Sequence, residues 1–246
     1  MDNNSLIQLI SNWIAKYVKN LPKQPVKLVI GVSGGIDSAV TSTLCAITNL
    51  DTIVVSMPIR QNTEQHSLSI KHIEWLKSKF SNVTSHIIDL DIVFNSFENT
   101  MKKFDSELAL ANTRSRLRMV TLYQIAQSNN GIVVGTGNKV EDFGIGFYTK
   151  YGDGGVDISP IADCTKTQVW NIGRELGIIN DIIDAKPTDG LWEDSRNDED
   201  QIGLNYEQIE EAMKNPNSKY YAKYDKIRQP NLHKMKPIPI CKIKDD

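Results

Sequence analysis

Residues 27–38, Lys-Leu-Val-Ile-Gly-Val-Ser-Gly-Gly-Ile-Asp-Ser, constrain the fold more than any other stretch. An apolar, β-rich run leads into a loop of hydroxyl, two glycines, carboxylate and hydroxyl, and a helix is expected from about Ala39. Glycines let the backbone approach an oxyanion closely, and the N–H groups at a helix N-terminus favour bound phosphate. The loop lacks the Gly-Lys-Ser/Thr of a Walker A motif. Its glycines are also wrongly spaced for a dinucleotide fingerprint. An ordinary strand-to-helix turn needs one capping hydroxyl and leaves the other polar and glycine positions unexplained.

The same alternation continues along the chain. Leu6, Ile7, Ile10, Trp13, Ile14, Tyr17 and Val18 recur at helical spacing, with a cap expected at Asn4 or Ser5 and a stop at Pro22 and Pro25. Strands are expected over 52–57, 86–90 and 132–135. Helices are expected from the loop to about 48, over 64–80, in segments up to about 127, over 165–176 and over 206–213. Short Val and Ile runs separated by helices imply an α/β fold, a doubly wound, mostly parallel sheet with helices on both faces. Ligands on such sheets bind at the carboxyl ends of strands, beside a switch point. Both the 31–38 loop and Gly135-Thr136-Gly137-Asn138 fall at such ends. Residues 187–205 carry Glu193, Asp194, Asp198, Glu199 and Asp200 with few apolar anchors, so a loop that orders only over ligand is expected there. The tail is rich in Lys and Pro. No repeat or linker is evident, so one domain over 1–246 is expected.

The charge balance narrows the partners. Among 246 residues, 28 Lys and Arg face 30 Asp and Glu, a net of -2, which offers no electrostatic case for nucleic acid or an anionic membrane. Cys45, Cys164 and Cys241 lie far apart with no CxxC pair, which argues against a disulfide framework or a zinc site. No apolar run approaches the ~20 residues of a membrane span, and residues 1–5 lack signal-peptide features. A cytoplasmic setting is the expectation.

Four further runs carry chemistry. Residues 112–119 hold three arginines: 114 and 118 share a helix face while 116 points elsewhere, and their forks suit phosphates or carboxylates as well as a solvated face. At a strand end, Gly135-Thr136-Gly137-Asn138-Lys139-Val140-Glu141 offers a hydroxyl and a hard oxygen donor suited to Mg²⁺, which Glu141 could share with Asp37. A hairpin with an Asp-Gly turn explains the glycines of residues 148–157 but not Lys150 and Asp157 flanking them. Lys166 at a helix start runs against the dipole preference, which favours a ligand role; Lys186-Pro187-Thr188 and His233-Lys234 are weak singly.

The Ser33-Gly34-Gly35-Ile36-Asp37-Ser38 loop resembles the pyrophosphate loop of ATP pyrophosphatases, which split ATP into AMP and pyrophosphate. With GTGNKVE and TKYGDGGVD following in order, the chain is similar over nearly its whole length to ammonia-dependent NAD⁺ synthetases. It departs from them at residues 58–64 and in one extra residue between Glu141 and Lys150. The resemblance implies ATP-dependent amidation of deamido-NAD⁺ through an acyl-adenylate. The nitrogen donor is expected to be ammonia, since 246 residues do not hold the glutaminase domain of longer members. By the same resemblance Gly31, Val32, Ser33, Gly34, Gly35, Ile36, Asp37 and Ser38 cradle the ATP phosphates, and Thr136, Lys166 and Thr188 contact ATP. Asp37 and Lys166 are the catalytic pair, Asp37 and Glu141 hold Mg²⁺, and Arg116, Lys150, Asp157, His233 and Lys234 contact deamido-NAD⁺. A homodimer with the dinucleotide at its interface is implied as well. One rival is a loop ATPase that adenylates or thiolates tRNA, which would want a basic surface or paired cysteines. Another is a nucleotide-binding protein without turnover, which would be marked by loss of Asp37, Glu141 or Lys166.

Overall fold

The computed structural model describes residues 1–24, 26–104, 106–188, 190–191 and 197–243. Helix α1 (Asn3–Lys19) starts one step before the expected caps. Asp2 caps it, accepting from the Ser5 backbone and hydroxyl at 2.8 and 2.9 Å, so Ser5 is a satisfied partner and not the cap. Pro22 follows the helix, while Pro25 lies outside the described residues.

Strand β1 (Lys27–Gly31) runs into helix α2 (Ile36–Ile47), followed by β2 (Thr52–Ser56), α3 (Thr63–Lys79) and β3 (Val83–Ile87). β3 lies earlier than the apolar run at 87–90 suggested. Parallel pairing from Thr52↔Val83 to Ser56↔Ile87 sets its register, and Asn82 fixes its start by donating to the Ala46 and Leu50 carbonyls. Helices α4 (Asp91–Thr100) and α5 (Glu107–Ser128) lead to β4 (Gly131–Val133). The strand order is β3-β2-β1-β4, with every pairing parallel. The chain therefore turns to opposite sides of β1 at β2 and β4, and the switch point lies between the loops after β1 and β4.

The pleat sorts the core. Leu28, Ile30 and Val54 pack with α1, α2 and α3 on one face, whereas Val29, Ile53 and Val55 pack with Phe94 of α4 and Ala126 of α5 on the other. Each such buried aliphatic contributes roughly 1.5–3 kcal/mol by leaving water. On the first face they join Val169 and Ile172 of α6 (Lys166–Glu175) and Ile182 of α7 (Asn180–Ile183).

The C-terminal part differs most from expectation. α8 (Asp198–Ile202) occupies part of the segment expected as a loop, and Glu193 and Asp194 of that segment lie outside the described residues. α9 (Tyr206–Lys214) is followed by two helices in the expected Lys- and Pro-rich tail, α10 (Tyr221–Arg228) and α11 (Leu232–Met235). A third apolar cluster explains α8, α9 and α10. Ile202, Leu204, Tyr206, Ile209 and Tyr224 close over Val140 and Ile145, so these short helices persist by burying one face against a neighbour.

Candidate active site

The first turn of α2 begins at Ile36, earlier than expected, so Asp37 and Ser38 are helical residues and not loop residues. Gly35 caps α2 without a side-chain acceptor, which leaves the helix N-terminus facing the crevice as a ready anion site. Within the loop, Ser38 Oγ accepts from Ser33 N at 3.2 Å and donates to Gly35 O at 2.9 Å. Gly34 has φ +91°, and a Cβ there would lie 2.7 Å from Gln65 O and 2.9 Å from Ser69 N. Only glycine fits so close to α3.

After β4 the chain enters a π-helix, Lys139–Ile145, ended by Gly146 at φ +69°. Such wide turns recur at functional sites. Asn138 starts this one, its Oδ1 accepting from Val140 N and Glu141 N while its Nδ2 donates to Asp37 Oδ1 at 3.0 Å. The side chain of one fully buried asparagine thus ties the β4 loop to the β1 loop. The structure brings Asp37, Glu141 and Lys166 to one point. Lys166 Nζ donates to Asp37 Oδ2 at 2.5 Å and to Glu141 Oε1 at 2.9 Å. It opens α6 under a Thr165–Gln168 capping box and is only 1% exposed. Tyr206 completes the group. Its hydroxyl lies 2.7 Å from Glu141 Oε1 and 3.1 Å from Asp198 Oδ2, and Lys166 Nζ stands 4.9 Å from its ring centre.

The electrostatics follow from burial with one cation against two anions. Burial works against the Lys166 charge, but Asp37 and Glu141 outweigh it and hold the ammonium above its ordinary value. Burial also works against Glu141, yet Lys166 and Tyr206 hold that carboxyl below its usual range. Burial pushes Asp37 up against the pull of Lys166, with Glu141 adding to the rise. The 2.5 Å ammonium contact decides for the ionised carboxylate at neutral pH. Burial, then the charges of Asp153, Glu141 and Asp37, push the Asp142 carboxyl well up.

Asp37, Glu141, Asp142, Asp153 and Lys166 line a cavity of about 520 Å³, within the range of small-molecule sites. Residues 31–38, Thr136, Glu141, Lys166, Thr188 and Lys234 all border it. Lys234 Nζ also donates to Tyr148 O at 2.8 Å. Arg116, Lys150, Asp157 and His233 do not border it. Arg116 is exposed and reaches the Lys150 carbonyl at 3.4 Å. Asp157 accepts from Val133 N at 2.7 Å and from the Tyr123 hydroxyl at 3.1 Å; burial and the Asp157 charge push that phenol up to about 12. His233 pairs with Pro230 O at the surface. Of the other arginines, Arg118 borders the cavity and donates to Met57 O, while Arg114 is buried over Phe94.

No hairpin forms over 148–157. Asp153 Oδ1 instead accepts from Thr149 N and Ser115 Oγ, and Gly152 is required because a Cβ would meet Ser115 Oγ at 2.3 Å. Sequence reasoning missed Asn138, Asp142, Asp153, Asp198 and Tyr206 as cavity or site groups. Only Asn138 carried a local signal, as an Asn able to cap the turn after a strand.

Among the described residues, no group of three or more His, Cys, Asp or Glu is arranged to hold a metal alone. Asp37 and Glu141 still converge on one point, since a single ammonium reaches both. Two hard carboxylates together with phosphate oxygens are a fitting ligand set for Mg²⁺.

The family model described as NAD synthase matches residues 6–243. The NH(3)-dependent NAD(+) synthetase of Finegoldia magna is 34% identical over 238 residues, 96% of this chain and 95% of that one. Its counterpart from Thermoplasma acidophilum is 39% identical over 84% of this chain and 82% of its own. Among solved structures, NMN synthetase from Francisella tularensis superposes with a TM-score of 0.90 at 31% identity, covering 99% of this chain and 100% of that one. The NH3-dependent NAD synthetase of Campylobacter jejuni gives 0.80 at 25% identity, covering 98% and 100%.

Proposed function

This chain belongs to the NAD synthase family, and we propose from that premise that it amidates deamido-NAD⁺ with ammonia at the expense of ATP, giving NAD⁺, AMP and pyrophosphate. The observation that carries the reading is the meeting of Lys166 with Asp37 and Glu141 beside the free N-terminus of α2. A carboxylate is a poor acceptor for ammonia because its oxygen leaves badly. In the first step the nicotinate oxygen attacks the α-phosphorus and pyrophosphate leaves, giving an acyl-adenylate. In the second, ammonia attacks the acyl carbon, AMP leaves, and one proton is released.

The residues have matching roles. The backbone of residues 31–38 and the α2 N-terminus cradle the phosphates. Lys166 offsets charge that shifts onto the transferring phosphate, and Thr136 and Thr188 border the nucleotide. Asp37 and Glu141 would hold Mg²⁺, which when bound neutralises phosphate charge and orients the phosphate oxygens. Lys234 is the predicted dinucleotide contact that already faces the cavity. Arg116, Lys150, Asp157 and His233 would meet the substrate only outside it. A homodimer with the dinucleotide across its interface belongs to this reading. Exposed Ile92, Phe97 and Phe104, on α4 and the segment after it, support it as apolar side chains that a partner would cover.

A second reading has one specific support, the TM-score of 0.90 to an NMN synthetase. Here the amidated substrate is the nicotinate mononucleotide. Chemistry at the carboxylate is identical, and only the adenylate half of the substrate is missing. Incubation with ATP, Mg²⁺ and ammonium, and either deamido-NAD⁺ or nicotinate mononucleotide, separates the two by kcat/KM. Absence of AMP and pyrophosphate with both substrates would sink the amidation reading altogether.

A further inference from the structure

Tyr206 is bonded to the centre of the site although no part of the reaction described above uses it. It is 1% exposed, and its ring is fixed edge-on against Trp170, 5.7 Å between centres at 88°. Its backbone N donates to Glu199 Oε1 at 3.3 Å, and Asn205 caps the helix it opens. The ring cannot shift without opening the apolar cluster of Val140, Ile145 and Ile209. From this anchored place the hydroxyl reaches two carboxylates on different elements, Glu141 at 2.7 Å and Asp198 at 3.1 Å. A phenol has one proton to donate. The shorter contact assigns it to Glu141, whose Oε1 then accepts from both Tyr206 and Lys166. A tyrosine needed only for packing would have no reason to aim its hydroxyl at the carboxylate that faces the cavity.

We propose that Tyr206 is a positioning residue for the adenylation step: its hydroxyl fixes the orientation of the Glu141 carboxylate, and its ring carries the Lys166 ammonium. This rests on the reading of Asp37 and Glu141 as metal ligands. Lys166 Nζ now stands at the point where Asp37 and Glu141 converge, so a metal ion taking that point would displace the ammonium into the cavity, toward the ATP phosphates. The aromatic face under Nζ keeps a favourable contact with the cation during that exchange. The bond from the hydroxyl keeps Glu141 from turning away while its cation partner changes.

Mn²⁺ binding to the nucleotide-free protein, followed by loss of the free Mn²⁺ paramagnetic resonance signal, reads the Asp37 and Glu141 carboxylates without turnover. It is measured below the melting midpoint of each variant. Tyr206→Phe keeps the ring and removes only the hydroxyl. The expected result is about a tenfold weaker Mn²⁺ affinity, the scale of losing an outer partner of a metal ligand, with a slower pyrophosphate burst and little change in the KM for ATP. Wild-type protein that takes up no Mn²⁺ would overturn the metal reading itself. Wild-type binding matched by Tyr206→Phe would overturn the role of Tyr206 alone. In a Glu141→Gln background, Tyr206→Phe should weaken binding no further. A full second loss there would mean that the tyrosine acts through α8 and α9 packing, and the proposal fails. Tyr206→His, a ring with an N–H donor, should recover part of the affinity lost in the phenylalanine variant; no recovery in folded protein counts against the proposal.

Discussion

Replacing Lys166 by methionine keeps all but the last atom of the side chain's length and removes its charge. In the structure that ammonium serves both Asp37, at 2.5 Å, and Glu141, at 2.9 Å. Its loss leaves two like charges facing each other on the cavity floor. Removing one partner of a buried pair costs about 3–5 kcal/mol. The two carboxylate side chains keep 18% and 15% of their surface exposed, so water in the cavity offsets part of this and the lower end applies, about 3 kcal/mol. For a chain of this size each kcal/mol moves the melting midpoint by about 2–4 °C, so a fall of roughly 6–12 °C is expected. Mg²⁺ should return part of it. At ten times its Kd a ligand of the folded state contributes about 1.4 kcal/mol, or about 3–6 °C. The wild type should respond less, because Lys166 already occupies the place between the carboxylates. Turnover should stay depressed by about 10²–10³ even with Mg²⁺ present, since no cation follows the charge on the transferring phosphate. Calorimetric melts of both proteins with and without Mg²⁺, with a pyrophosphate burst assay, test this. A fall under about 2 °C, or equal Mg²⁺ responses of wild type and variant, would refute the reasoning.

Asp37→Ala should abolish turnover while leaving Lys166 paired with Glu141, so its melting midpoint should fall less than that of Lys166→Met; activity lost only through collapse of the fold would contradict the assignment. Gly34→Ala must place a Cβ against backbone atoms at 2.7 and 2.9 Å with φ at +91°, a strain of about 1–3 kcal/mol that should appear as weaker ATP binding; calorimetric titration showing unchanged affinity would refute it. His72 is fully buried against Ser42, and burial lowers its pKa from 6.5 to about 4. Between those values the unfolded chain binds the proton and the folded chain does not, so stability is complete above pH 6.5 and is lost as pH falls, by about 2 kcal/mol at pH 5. His72→Gln should flatten that slope in denaturant titrations at pH 5 and 7, and an unchanged slope would exclude His72 as its source.

Local chemistry was legible along the chain. The β1 loop and α2 are written in consecutive residues, because a phosphate cradle needs its glycines, hydroxyls and carboxylate within one turn. Parallel strands also announce themselves, since burial on both faces demands the Val and Ile runs at 27–32 and 52–57. Register at the sheet edge was not legible. β3 is half polar, and only its pairing with β2 chooses Val83–Ile87 over the more apolar residues beyond. The tail helices were hidden for a related reason: α8 and α10 are too short to hold by propensity and exist by packing on a cluster that the fold creates.

The fold class, the phosphate loop and the residue types of the site follow from the order of residues alone, because each is set by neighbours in the chain. Which of those residues meet follows from the folded arrangement. Lys166 joins Asp37 across 129 positions and Glu141 across 25, and Tyr206 reaches Glu141 across 65. The fold also holds Asp157 at Val133 N and Tyr123, away from the cavity. Such pairings depend on burial. A carboxylate or an ammonium in water has no strong preference among partners, and it acquires one only when the fold removes the water and leaves one opposite charge within reach.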